Sequence, residues 1–129
     1  MRNQTLAYLT YLKDLASMMD KVFIVNNSGH DYSDAKRFGE LVIMSEGVID
    51  KFNVTSMLRT FKKHLNASTK NDFILQSGPS IMNAVACAEF ATNHSCLNLL
   101  IWRYEQDGRS DRYTHHRLNL GKVRKDDRD

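Results

Sequence analysis

The chain has 129 residues, 42% of them hydrophobic, and 18 basic against 15 acidic side chains for a net charge of +3. That length fits one domain able to bury about two thirds of its unfolded surface, so neither a disulfide nor a metal is needed to hold it together. The charge is too mild to argue for nucleic acid on its own, and no stretch reaches the roughly 20 apolar residues of a membrane span.

Residues 1–120 are expected to form the single domain and 121–129 a disordered charged tail. The apolar residues near the start are spaced, with Lys13, Asp14 and Asp20 among them, which is not a signal-peptide pattern. Cys87 and Cys96 have no CxxC spacing. Two buried free thiols are expected, which suits a reducing compartment such as the cytoplasm. No cofactor, metal or membrane association is implied.

In chain order, Leu6, Leu9, Leu12, Leu15, Ala16 and Met19 recur every three or four residues, predicting an amphipathic helix over 3–19. Val22–Val25 reads as a short buried strand that breaks into the polar loop Asn26-Asn27-Ser28-Gly29-His30-Asp31. Ser33-Asp34 is placed to cap a short helix ended by Gly39. Leu41–Met44 is a second strand. Asn53 or Thr55 caps the next helix, with Val54, Met57, Leu58, Phe61 and Leu65 as its inward stripe. Phe73–Leu75 is a third strand.

The turn Ser77-Gly78-Pro79-Ser80 then opens a helix to about Thr92, with Pro79 expected at its first position. This helix is apolar nearly all round, which predicts burial on every side. Leu97–Trp102 reads as a central strand from its continuous apolarity. Asp107-Gly108 is a hairpin turn, and Arg112–Leu118 returns as a charged edge strand. Strands alternating with helices predict an α/β fold: a small mixed sheet of four to five strands with crossover helices and a C-terminal β-hairpin.

Two loops at strand ends are the candidate site. A helix start presents unpaired N–H groups and the positive end of its dipole, and Ser77, Gly78 and Ser80, with Asn83 one turn further on, suit a phosphate or carboxylate. If the first and third strands are parallel neighbours, Asn27, Ser28, Gly29 and Asp31 land beside that turn. His30 is then placed for acid–base work near neutral pH, with Asp31 or another carboxylate orienting it. The same residue types also make ordinary turns and caps, so both readings stand.

Residues 103–125 carry a net charge of +4, including Arg103, Arg109, Arg112 and Arg117. These four are the candidate nucleic-acid contacts, and a solvated charged face is the alternative. Trp102, Tyr104 and Tyr113 can stack on bases or on each other across the hairpin. Adjacent His115 and His116 point to opposite sides of a strand and cannot easily share an ion.

Residues Asn27 to Ala35, Phe38-Gly39-Glu40-Leu41-Val42 and Leu97-Asn98-Leu99-Leu100-Ile101 resemble a family of small tailed-phage proteins, over Val22–Leu118. The element order from Phe23 onward also resembles the viral ring nucleases, small dimeric α/β anti-CRISPR proteins that bind and cleave cyclic oligoadenylate. Those carry a catalytic His after the turn glycine. Here Pro79 follows Gly78, which leaves only His30 to take that part.

The two strand-end loops, taken with these resemblances, lead to the expectation of a phage protein that binds a phosphorylated small ligand, a nucleotide or cyclic nucleotide, in counter-defence in the host cytoplasm, and that forms a homo-oligomer such as a dimer. The alternative is a virion structural or host-interaction protein without catalysis.

Overall fold

The computed structural model describes residues 2–104 and 111–121. The elements in order are α1 (Arg2–Met18), β1 (Lys21–Ile24), a 3-10 helix (Ser33–Arg37), β2 (Glu40–Ile43), α2 (Val54–Leu65), β3 (Phe73–Leu75), α3 (Ser80–His94), β4 (Cys96–Arg103) and β5 (Arg112–Asn119). No helix among the described residues is long and apolar enough to cross a membrane.

The five strands form one mixed sheet in the order β2-β1-β3-β4-β5. The first four are parallel and β5 runs antiparallel to β4. Right-handed crossovers put successive connections on opposite faces when the strand order reverses, and it reverses at β1. Phe23, Val25 and Ile74 accordingly pack with Met57, Phe61 and Leu65 of α2 and Met82, Ala86 and Phe90 of α3. Val22, Ile24, Phe73 and Leu75 pack on the other face beneath Tyr32 and Ala35. Burial on both faces is why these strands read as unbroken apolar runs.

Four local expectations are corrected. The centre of the sheet is β3, and β4 lies one strand from the edge, buried on both faces only in its first half. The short helix is a 3-10 segment capped at Tyr32 with no side-chain bond. Asp34 instead accepts the Tyr113 N–H at 2.8 Å and pairs with Arg37. Pro79 is the cap before α3 rather than its first residue, held extended at ψ 142°.

The fourth correction concerns α3 itself. It is buried along one side only, at Met82, Asn83, Ala86 and Phe90, while Ala84 and Ala88 are exposed. Among the described residues no helix lies between β4 and β5 to cover its flank. By contrast α2 forms as expected: Asn53 accepts the Ser56 N–H at 3.1 Å and Met57, Phe61 and Leu65 are buried. Helix α1 also forms as expected, but Leu6, Leu9 and Leu12 on its apolar stripe are exposed.

Buried Asn98 ties three segments together. Its Nδ2 donates to the carbonyls of Lys70 and Asp72, and its Oδ1 receives His115 Nε2 at 3.2 Å and Arg117 Nη1 at 3.1 Å. His115 also meets the Phe73 ring at 5.0 Å. Partial burial, then the Arg117 and His116 charges, hold its pKa below the ordinary value.

A base with a depressed folded pKa contributes stability above its unfolded pKa, about 6.5, which is lost as pH falls through the folded one. The urea midpoint is therefore expected to drop between pH 7.5 and pH 5. In His115→Gln, which cannot charge, that drop should shrink; an unchanged slope in the variant rejects the assignment.

Candidate functional site

The reversal of strand order at β1 leaves a crevice beyond the carboxyl ends of β1 and β3, where open α/β sheets bind ligands. A cleft of about 1150 Å³ opens there. His30 and Asp31 from the β1 loop and Ser77, Gly78, Ser80 and Asn83 from the β3–α3 turn all line it. The two loops that lie nearly fifty residues apart in the chain thus share one rim.

Their junction is tight. Tyr32 Oη and Ser77 Oγ lie 2.7 Å apart, both buried, and Ser28 N donates to Tyr32 Oη at 3.0 Å. Gly78 has φ +87°, and a Cβ there would lie 2.8 Å from Asn26 Cβ. Only glycine fits both the positive φ and the contact. The turn is fastened from the helix side by Asn83. Its Oδ1 accepts Ser77 N–H at 3.0 Å, and its Nδ2 lies within reach of the carbonyls of Ser77, Gly78 and Pro79.

The amides at α3 divide into used and unused. Met82 N and Asn83 N donate to the Pro79 carbonyl, and Ser77 N to Asn83. Among the described residues the amides of Gly78, Ser80 and Ile81 meet no acceptor. Two of those three residues, Gly78 and Ser80, line the cleft.

Asn27, Ser28 and Gly29 build the loop rather than line the cleft. Asn27 N donates to the Ser45 carbonyl, continuing the β1–β2 pairing, and its Oδ1 accepts Gly29 N–H at 3.2 Å. His30 is exposed and meets the Tyr32 ring edge-on at 6.3 Å. Asp31 turns Oδ1 to the Ser33 amide at 2.9 Å, and not to His30. The Ser33 amide, then the Ser33 hydroxyl, hold the Asp31 carboxyl below its ordinary pKa.

The remaining walls come from residues that the loop reading passed over. Ser33, Asp34 and Gln76 extend the two loops, and Ala84, Cys87, Leu97 and Leu99 form an apolar wall between α3 and β4. Trp102, Tyr104, Asp111 and Tyr113 complete the opposite side. Trp102 and Tyr113 are direct cross-strand partners with rings 4.8 Å apart. The signal for that pairing was available: the Asp107-Gly108 turn lies outside the described residues, yet every pair in the β4–β5 register is symmetric about it.

Burial, then Tyr32 and the Asp31 and Asp34 carboxylates, push the Tyr113 hydroxyl up to about 12. Burial alone pushes the Cys87 thiol up to about 11. Both stay protonated at neutral pH, so Cys87 is a poor nucleophile. No Lys or Arg lines the cleft among the described residues.

The three described arginines of the four do not make one surface. Arg103 and Arg112 face each other across the hairpin, on the α2–α3 side of the sheet. Arg117 is on the other side, bonded to Asn98 and Asn119. Arg109 lies outside the described residues, as does the tail beyond residue 121. His115 and His116 face opposite sides as expected, one bonded to Asn98 and the other to Thr114.

No curated protein and no solved structure matches this chain. A family description does match, over residues 20–120, which takes in every element from β1 to β5 and both loops of the cleft. The chain therefore belongs to the phage Pam3 gp32-like protein family.

Proposed function

We propose that this phage protein binds a small phosphorylated ligand, a nucleotide or cyclic nucleotide, in the cleft at the carboxyl end of β1 and β3. One observation carries the reading: Gly78 and Ser80 line the cleft and, among the described residues, their amides meet no acceptor, at the positive end of a fifteen-residue helix. Such a helix start favours a phosphate.

The rest of the lining suits the remainder of a nucleotide. Exposed Tyr104 and half-buried Trp102 offer ring surface for a base, and Asp31 and Asp34 can accept from sugar hydroxyls or base amino groups. With no basic side chain in the described lining, a ligand of low phosphate charge fits better than a long oligonucleotide. In an infected cell, sequestering a host nucleotide signal is the role this binding would serve.

The test is a thermal-shift and calorimetric screen against mononucleotides, cyclic mononucleotides and cyclic oligonucleotides, with Ser80→Glu as the control. The carboxylate in the first turn of α3 leaves the fold intact, since acidic groups favour that position, and it occupies the same amides electrostatically. A ligand at 100 times its dissociation constant adds about 2.7 kcal/mol to the wild type. In Ser80→Glu that gain should fall by at least tenfold in affinity. No stabilisation of the wild type by any of these ligands at millimolar concentration rejects the reading.

A second reading, an interaction protein without catalysis, is favoured by the apolar surface left open on α1 and at Val48 and Phe52 in the β2–α2 loop.

A further inference from the structure

The junction of the two cleft loops holds one more proton than it has places for. Tyr32 Oη and Ser77 Oγ lie 2.7 Å apart, and Ser28 N donates to Tyr32 Oη at 3.0 Å. Each hydroxyl has one proton to place. A phenol, with an ordinary pKa of about 10, is a stronger acid than an alkyl alcohol and so the stronger donor of the pair. Tyr32 therefore donates to Ser77 across the short contact. Its other acceptor, the Asn26 carbonyl, lies 3.4 Å away, at the long end of the hydrogen-bond range.

That leaves the Ser77 proton without an acceptor. Among the described residues Ser77 Oγ meets Tyr32 alone. Ser77 is 8% exposed, and it lines the cleft. A buried hydroxyl in this condition is destabilising until something in the cleft accepts from it. The next residues along the turn are Gly78 and Ser80, whose amides also meet no acceptor. One turn thus offers an O–H and two N–H groups together, and none of them is charged.

We propose that the anionic group held here is a phosphodiester, with a single charge, bound by the Ser77 hydroxyl and the Gly78 and Ser80 amides in preference to a phosphomonoester. This rests on the reading of the cleft as a nucleotide site and narrows it. A helix start carries about half a positive charge. That half charge and three neutral donors match one negative charge better than two. The Asp31 and Asp34 carboxylates line the same cleft. Asp34 is paired with Arg37, but Asp31 meets the neutral Ser33 amide, so Asp31 opposes each further negative charge.

A monoester, with a second pKa of about 6, carries close to two charges at pH 8. A diester carries one, and it has no P–OH that would need an acceptor at a turn made of donors. The same diester occurs inside a cyclic mononucleotide and in each linkage of a cyclic dinucleotide.

The test is titration calorimetry at pH 8 with four probes in an adenine and a guanine series. They are the 5′-monophosphate, its methyl ester, the 3′,5′-cyclic mononucleotide and the cyclic dinucleotide. The methyl ester should bind about tenfold more tightly than the parent monophosphate, because the two differ by one charge and one methyl group. The cyclic probes should also exceed the monophosphate, and the tighter of them identifies the source of the diester. Ser77→Ala should weaken diester binding about tenfold, the loss of one hydrogen bond to a charged group. Tyr32 keeps the Asn26 carbonyl as its acceptor in that variant, so circular dichroism should not change.

Asp31→Asn tests the charge by itself. Its Oδ1 still accepts the Ser33 N–H, and the monophosphate should gain on the methyl ester. Should Ser77→Ala fail to fold, the wild type and Asp31→Asn decide. The proposal is overturned by a wild type that binds the monophosphate as tightly as its methyl ester. A folded Ser77→Ala with undiminished diester affinity, or an Asp31→Asn with the wild-type preference, overturns it equally. Tight monophosphate binding leaves the nucleotide reading of the cleft standing, whereas no binding by any probe removes both.

Discussion

Gly39→Ala is expected to be the most damaging single substitution in the chain, costing about 4 kcal/mol or more, at the exceptional end of the range for point changes. An added Cβ would lie 2.2 Å from the Asp20 carbonyl oxygen and 2.7 Å from its carbon. Both are backbone atoms, so no side-chain rotation relieves the overlap. The same carbonyl accepts the Glu40 N–H at 2.9 Å, the bond that starts the β1–β2 ladder from Lys21↔Glu40 onward. Moving it apart to admit a methyl group unzips that ladder from its first rung.

A domain of this size has only about 5–15 kcal/mol of stability in total. Chemical denaturation should therefore show a variant that is largely unfolded or has lost much of its midpoint. Gly29→Ala is the control. It has a positive φ of 83° with nothing near its Cβ, so it should lose only the left-handed strain of about 1–2 kcal/mol. Equal losses in the two variants would show that conformation rather than contact decides at Gly39.

The second large effect is at Asn83. Asn83→Ala leaves the buried Ser77 N–H without its acceptor and the carbonyls of Ser77 and Gly78 without the Asn83 donor, while the Pro79 carbonyl keeps the Met82 and Asn83 amides. At about 1–3 kcal/mol for each buried group left unsatisfied, a loss of about 3 kcal/mol is expected. Asn83→Asp should be worse at pH 7, because an ionised carboxylate would keep the Ser77 bond but face three carbonyl oxygens.

The aspartate should have a folded pKa raised by those oxygens. Its excess cost is then present above that pKa and shrinks as pH falls and the acid regains one donor. Urea midpoints of the two variants should draw together as pH is lowered from 7 towards the unfolded Asp value of about 3.9. An Asn83→Asp variant as stable as wild type at pH 7 would show that the side chain does not fasten the turn.

Much of the chemistry-bearing geometry was legible in residue order. The parallel run of short apolar strands, the Asn53 cap of α2, the turn at Gly78 and the hairpin register follow from local rules: periodicity, capping and turn symmetry each need only a few neighbouring residues. The misreadings share one cause, which is that burial is not a local property. The all-round apolarity of α3 predicted enclosure. Yet whether Ala84 and Ala88 are covered depends on what the rest of the chain places beside them, and among the described residues nothing covers them. The expectation that Asp34 caps a helix failed for a related reason, since a distant N–H on Tyr113 competes for the same carboxylate.

The Pro79 misplacement is smaller in kind: an extended cap and a first helical position differ by one dihedral. The walls of the cleft at Leu97, Trp102 and Tyr113 were invisible as a group because they arrive from both faces of β4 and β5 and meet only at the end of the sheet.

From residue order alone came the identity of the elements and the polar strand-end loops, because these rest on interactions within a few residues; that Gly39 and Gly78 admit no side chain was decided by Asp20 and Asn26, distant in the chain. Which loops meet, which strand is central, and which apolar faces stay uncovered were settled by the reversal of strand order at β1. A reversal brings the ends of β1 and β3 together and sends helices to opposite faces. That outcome depends on pairings between segments about fifty residues apart, which no short stretch of chain encodes.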